Sequence, residues 1–152
     1  MAKNKDKKKP KIPQIKSQNK YSNYKFLPES KPVYWIHNPV FSFTHYVHDN
    51  KKWSFECINN IKDFYKFFEN LKRISSLTWG DIEQSHEFHF HPINWRKDNV
   101  PDVINKLPEN IKGFPLVQFK AFGESRIVGF FNSKNVFEFL LVDKNHLIFI
   151  EK

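Results

Sequence analysis

The chain has 152 residues, a length typical of one domain with a single hydrophobic core. Its aromatic share of 17% favours a packed globular body over a disordered chain. The single cysteine, Cys57, excludes an intrachain disulfide and a cysteine-based metal site, and indicates a reducing, cytoplasmic setting. No apolar run approaches the roughly 20 residues that cross a bilayer, and no secretory signal is present, so we expect no membrane partner.

The positive charge is concentrated near the N-terminus. Residues 1–33 hold ten Lys against two acids and carry a net charge of +8, whereas residues 34–152 carry +1. This composition predicts a disordered basic tail at 1–33 and a single α+β domain at 34–152. The tail residues Lys7, Lys8, Lys9 and Lys11 favour a polyanionic partner such as RNA, the ribosome or an acidic protein. A purely solubilising tail is the alternative.

The first half of the domain combines a predicted hairpin with a predicted helix. Alternating apolar residues at 34–47 and 53–57 flank a turn, which predicts an N-terminal β-hairpin. Apolar residues recur every three or four positions over 61–77, which predicts an amphipathic helix. Its charged face includes Lys72 and Arg73, which either contact only solvent or bind RNA.

Thr78 starts a second, shorter predicted helix. Asp81 follows three positions later, and this spacing is typical of a capped N-terminus. The helix would bury Trp79 and Ile82 against the longer helix.

The segment 85–95 (SHEFHFHPINW) concentrates titratable side chains. In an extended chain Glu87, His89 and His91 share one face, and His86 lies on the other. An H-x-H pair on a strand can bind zinc, but no third ligand stands at a fixed spacing, so we predict no metal. Acid–base chemistry is a second interpretation, because His titrates near neutrality. A surface strand with incidental histidines is the third.

The C-terminal third contains four β-prone segments separated by turns, after a short amphipathic helix predicted within 99–111. The segments are 117–122, 126–131, 136–142 and 147–150. The third of them, VFEFLLV, is almost continuously apolar, which predicts a strand covered on both faces. The order of elements predicts an α+β fold with a hairpin, two or three helices, and a four-stranded antiparallel meander with helices packed on one face.

Four short motifs together resemble the small bacterial and phage toxins of the RelE/YoeB type, over about residues 41–150. They are LTWGDI (77–82), SHEFHFH (85–91), RIVGF (126–130) and VFEFLLVDKNHLIFI (136–150). The resemblance implies a sheet whose concave face binds mRNA, often in the ribosomal A site, and cuts it without metal or other cofactor. The 2′-OH attacks the adjacent phosphate, which requires a base, a cation and an acid. The resemblance also implies an acidic antitoxin protein as a partner.

The resemblance places these roles on the sheet and its edges. The expected catalytic residues are Arg126, His146, Lys144, His86, His89 and His91. A guanidinium contacts two phosphoryl oxygens, so Arg126 is the expected phosphate ligand. His146 would act as acid or base, one of the other histidines would be its partner, and Lys120 would be a second cation that binds nucleic acid.

The number of arginines departs from the family pattern. Relatives of RelE usually display several Arg and Lys on the sheet, whereas this chain has three Arg in all, at 73, 96 and 126. The Lys-rich tail would compensate for this deficit.

The resemblance makes a metal-independent endoribonuclease of the toxin type the leading hypothesis. The alternatives are a non-catalytic nucleic-acid or ribosome-binding module and a protein-binding inhibitor factor of the phage type.

Overall fold

A five-stranded sheet forms the centre of the part of the chain that the structure describes, residues 32–93 and 101–148 of a computed structural model. The strands are β1 (Phe41–Ser42), β2 (His91–Pro92), β3 (Leu116–Phe122), β4 (Ser125–Phe131) and β5 (Phe137–Asp143). Their order across the sheet is β1-β5-β4-β3-β2. β1 is parallel to β5, and the other neighbouring pairs are antiparallel. The fold is therefore α+β, as predicted, with a mixed sheet.

Helices cover both faces of this sheet. They are α1 (Ile61–Ser75), α2 (Trp79–Gln84), α3 (Asp102–Asn105) and α4 (Glu109–Lys112). α1 and α2 contribute Phe67 and Trp79 to a first core, which also holds Phe119 of the sheet. α3 and α4 contribute Ile104 and Ile111 to a second core on the opposite face. No helix among the described residues is long and apolar enough to span a membrane.

The N-termini of α1 and α2 are fixed by side-chain caps. Asn60 caps α1, and its Oδ1 accepts a hydrogen bond from the amide of Lys62 at 2.8 Å. Thr78 and Asp81 form a reciprocal capping box on α2, in which each side chain accepts from the backbone amide of the other residue. These contacts satisfy amides that the first turn leaves without helical partners. The predicted long helix and the predicted cap at Thr78 are confirmed.

All seven residues of β5 are buried, so the predicted doubly covered strand is confirmed. Phe137 and Phe139 belong to the first core, whereas Leu140 and Leu141 both belong to the second. Two consecutive residues on one face break the usual alternation, and the pairing with β4 shifts register at this point. The irregularity lets the strand fill both cores along its length.

The predicted N-terminal hairpin is wrong. Phe41 pairs with Phe137 in parallel register, and Phe55–Cys57 is a 3-10 turn capped by Ser54 instead of a returning strand. Trp53 belongs to the second core and Phe55 packs on the first, so this segment crosses the exposed edge of β5. The crossing stabilises the edge, because the Trp53 carbonyl accepts from the amide of Val142 at 2.9 Å.

Three of the four predicted meander strands are present, as β3, β4 and β5. The start of the fourth, Leu147 and Ile148, is not a strand, because the carboxylate of Asp143 accepts both of their backbone amides at 2.9 Å. Residues 149–152 lie outside the described part of the chain.

The prediction that helices pack on one face only is also wrong. The predicted helix at 99–111 is divided into α3 and α4, with Pro108 at the boundary, and both halves pack on the second face. Proline lacks an amide hydrogen and disfavours a helical residue before it, which explains the break. Residues 94–100 lie outside the described part of the chain.

Gly129 of β4 provides a test of this packing. A Cβ there would lie 2.1 Å from the carbonyl oxygen of Glu138 and 2.6 Å from the ring of Phe137. We expect Gly129→Ala to lower the free energy of unfolding by about 1–3 kcal/mol, measured by urea denaturation, because the strands must separate. Gly113→Ala is the control, since nothing lies within 4 Å of its Cβ position. Equal stability of the two variants would contradict this packing.

Candidate functional site

Polar residues from three neighbouring strands form a row at one end of the sheet. In the antiparallel register Lys120 of β3 lies opposite Arg126 of β4, and Arg126 lies opposite Asp143 of β5. Directly opposed residues share a face and have adjacent Cβ atoms. We call Lys120, Arg126 and Asp143 the polar row.

Two histidines lie beside this row, next to Gln118. His91 of β2 is the register partner of Gln118, and the Nε2 atom of His146 lies 3.4 Å from the Nε2 atom of Gln118. We call His91 and His146 the histidine pair. Both side chains are partly exposed, whereas Gln118 is completely buried. Segments that are far apart in sequence thus bring two titratable groups to one buried amide.

Gln118 had no role in the sequence analysis. The signal that could have identified it is a single amide between Val117 and Phe119, both core residues. A buried amide needs hydrogen-bond partners, so its position in an apolar strand predicts a polar neighbour on the same face. Sequence alone could not identify that neighbour as His146.

Arg126 is in the predicted region, but its environment differs from that of an exposed phosphate ligand. The residue is only 6% exposed. Its Nη1 atom donates to the carbonyl of Glu124 at 2.8 Å and to the carbonyl of Ser125 at 3.2 Å. The guanidinium therefore folds back over the β3–β4 turn and stabilises its backbone.

The turn after β5 orients His146. The Asp143 carboxylate is fully buried and accepts hydrogen bonds from the backbone amides of Leu147 and Ile148, the two residues that follow His146. His146 itself has a left-handed backbone with φ of 52°. Such a conformation is uncommon for residues other than glycine and is found where surrounding contacts fix it.

Lys144, His86 and His89 lie in other local environments. The Nζ of Lys144 donates to Asn59 Oδ1 at 3.2 Å, near the start of α1. His86 lies exposed in a 3-10 turn, His86–Phe88, capped by Ser85. His89 is exposed, also with positive φ, and its ring centre lies 6.4 Å from that of His91. The continuous strand considered for this segment is therefore reduced to His91–Pro92, because Phe88 turns inward to the first core.

Of the two predicted RNA-binding cations on α1, Arg73 lies near Lys120. Arg73 forms a bidentate ion pair with Glu87, and its guanidinium lies over the ring of Phe88 at 5.3 Å from the ring centre. The hydrogen bonds between Arg73 and Glu87 lower the pKa of the Glu87 carboxyl and raise the pKa of Arg73. Arg73 and Lys120 both line a groove of about 320 Å³ between α1 and β3. Lys72 is exposed, and the tail residues Lys7, Lys8, Lys9 and Lys11 lie outside the described residues.

A larger cavity of about 1030 Å³ lies elsewhere on the molecule, between the loop that follows β1 and α3. Its lining includes His45, His48, Trp53 and Lys106, none of which the sequence analysis assigned to a site. It does not include the histidine pair among its described lining residues. The candidate site at the sheet's polar end is therefore distinct from this cavity.

A reactive thiol and a metal centre are less well supported by the local environments. Burial raises the pKa of the Cys57 thiol, which disfavours the reactive thiolate. Within residues 32–93 and 101–148, no three His, Cys, Asp or Glu side chains are grouped so that they could hold a metal ion. The histidine pair and the polar row remain as the candidate site.

The described residues thus define an α+β domain with a histidine pair at one end of its sheet. Residues 32–152 match the family described as Uncharacterised protein UU032, and the chain belongs to that family. Neither the curated proteins nor the solved structures compared with the chain gave a match. The function is therefore inferred from the residues of this chain.

Asp143→Asn tests how the turn that carries His146 is held. The variant replaces one acceptor oxygen with an amide group facing a backbone N–H, so we expect it to cost about 1–3 kcal/mol of unfolding free energy in urea denaturation. Asp49→Asn is the control, because the Asp49 side chain is 86% exposed and pairs with the neighbouring His48. An unchanged midpoint for Asp143→Asn would show that the carboxylate does not hold the turn.

Proposed function

We propose that the domain is a metal-independent endoribonuclease of the RelE type, acting in the cytoplasm on RNA that is either unbound or held in the ribosome. The observation that supports this proposal is the position of His91 and His146 next to Gln118. Cleavage by the 2′-OH needs one group to accept a proton and another to donate one. Two histidines on one face of the sheet have the right chemistry for both steps.

The surroundings of the pair suggest a division of roles. Gln118 is buried and contacts His146, so it is assigned to position that imidazole and not to touch RNA. Lys120 lies two residues along β3 from Gln118, about 6.6 Å in an extended strand, and is partly exposed. Lys120 is therefore a better candidate for the phosphate cation than Arg126, which donates to backbone carbonyls.

In the proposed reaction one histidine of the pair accepts the 2′-OH proton as the oxygen attacks the adjacent phosphorus. The bond from phosphorus to the 5′ oxygen breaks, and the other histidine donates a proton to that leaving oxygen. The products are a 2′,3′-cyclic phosphate and a 5′-hydroxyl end. The two-residue strand β2 carries His91 and the turn after β5 carries His146, so the two proton-transfer groups come from different elements of the fold.

The nuclease proposal is tested with His146→Asn and His91→Gln. Asn tolerates the left-handed backbone of residue 146 and removes the titratable ring. We expect each variant to lower the rate of RNA cleavage by about 10²–10⁴-fold, the usual contribution of a general acid or base, with RNA affinity unchanged. The assay follows cyclic-phosphate formation on naked mRNA and on ribosome-bound mRNA.

His48→Asn is the control for these two variants, because His48 is an exposed histidine whose side chain pairs with Asp49. We expect its cleavage rate to equal that of the unaltered protein. Full activity of both His146→Asn and His91→Gln would exclude the proposed site. Failure of the unaltered protein to cut either RNA would exclude the nuclease.

A non-catalytic RNA-binding module is the second candidate, and the position of Arg126 favours it. A strong phosphate-stabilising guanidinium would need an accessible face, yet Arg126 is 6% exposed. Binding without cleavage could rely on the tail, which holds ten Lys within residues 1–33. An acidic antitoxin-like protein would compete for the same positive charge.

Salt dependence of RNA binding tests this second candidate. If the tail makes the main phosphate contacts, replacing Lys7, Lys8, Lys9 and Lys11 with Gln in the full chain removes up to four of them. The slope of log affinity against log salt concentration should then fall by about 0.7 for each lost contact to a single strand. The measurement is fluorescence anisotropy with an uncleavable oligonucleotide. An unchanged slope would exclude these four lysines from the interface.

A further inference from the structure

The groove between α1 and β3 combines three cations with a floor of backbone and aromatic groups. Lys66 and Arg73 come from α1, and Lys120 comes from β3. Asn70 joins the two elements, because its amide donates to the carbonyls of Lys120 at 3.1 Å and Ala121 at 2.5 Å. The cations are therefore held on two elements that are bonded to each other.

Within this groove the guanidinium of Arg73 is already oriented. Phe88, which is only 3% exposed, lies beneath it with the ring centre 5.3 Å away. The two terminal nitrogens of Arg73 donate to the two carboxylate oxygens of Glu87. This two-pronged geometry is the one by which a guanidinium also binds the oxygens of a phosphate group.

Glu87 is the movable partner in this ion pair. Its side chain is 49% exposed, and it extends from the short 3-10 turn His86–Phe88 and not from a regular helix or strand. A carboxylate that can rotate away into solvent leaves the oriented guanidinium in a groove that Lys66 and Lys120 also line, with the Lys66 ammonium 3.4 Å from Asp63 Oδ1. Exposed ion pairs of this kind contribute little to folding, so the exchange of one anion for another is energetically accessible.

We propose that this groove is a phosphate-binding subsite for an RNA strand and that Glu87 occupies it as an internal competitor in the unbound protein. The identity of the ligand as RNA rests on the proposed function, whereas the phosphate chemistry rests on the groove. Lys120 belongs to both the groove and the polar row, so a strand lying along the edge of β3 would pass from the groove to the histidine pair. Phosphate displaces the Glu87 carboxylate from Arg73 when the strand binds.

Glu87→Gln provides the direct test, with inorganic phosphate and an uncleavable single-stranded RNA as separate probes. Removal of the competitor should tighten binding of inorganic phosphate by about twofold to fivefold, the range expected for an exposed ion pair. Arg73→Gln should weaken binding, and the double variant should behave as Arg73→Gln. Binding is followed by NMR titration of the full chain with phosphate and by anisotropy with the RNA.

Glu69→Gln is the charge-matched comparison, because Glu69 lines the same groove, whereas Glu87 forms the ion pair with Arg73. It removes one negative charge but not the competitor, so its gain in phosphate affinity should be clearly smaller. Equal gains for the two variants, or no gain for Glu87→Gln, would overturn the competition. Thermal denaturation confirms that each variant is folded.

The two probes separate this inference from the nuclease proposal. Tighter binding of inorganic phosphate by Glu87→Gln supports the subsite even if the protein cuts no RNA. The same gain with the RNA probe identifies a nucleic-acid strand as the source of the phosphate. A gain with inorganic phosphate and none with RNA would overturn the assignment of the ligand as RNA.

Discussion

The burial of β5 on both faces is the constraint on which the rest of the structure depends. Every residue of Phe137–Asp143 is buried, and each fully buried Phe or Leu contributes about 1.5–3 kcal/mol. A strand of this kind cannot leave its backbone polar groups without partners. On the edge beyond β1, the amide of Val47 donates to the Leu140 carbonyl and the carbonyl of Trp53 accepts from Val142. The loop after β1 therefore crosses from one core to the other at this edge.

The polar row lies at one end of this sheet. The cores cover the centre of the sheet on both faces, and Lys120, Arg126 and Asp143 of three neighbouring strands lie together at one end of it. The β3–β4 turn and the turn after β5 meet there, because Ser125 Oγ donates to the Lys144 carbonyl at 3.2 Å. The side chains of Arg126 and Asp143 are hydrogen-bonded to backbone groups of these turns. His91, His146 and Lys120 are partly exposed.

The net positive charge and the candidate functional site lie in different parts of the chain. The excess of Lys lies within residues 1–33, while residues 34–152 are almost neutral. Tail lysines can attract any polyanion at long range, but they cannot distinguish one strand from another. The α1–β3 groove and the histidine pair provide the fixed geometry that such an encounter would need. Under the proposed function, the lysines of residues 1–33 would attract the RNA and the sheet edge would orient it.

The sequence by itself determined the local elements. The periodicity from Ile61, the Thr78–Asp81 spacing and the apolar run of β5 are each readable within a few residues, because caps and amphipathic faces depend on near neighbours. The tertiary structure alone decided that β1 pairs in parallel with β5, that α3 and α4 cover the second face, and that His91 and His146 both lie next to Gln118. These features depend on partners far apart in the chain. Their stability comes from burial and register across the sheet, which no local pattern of residues encodes.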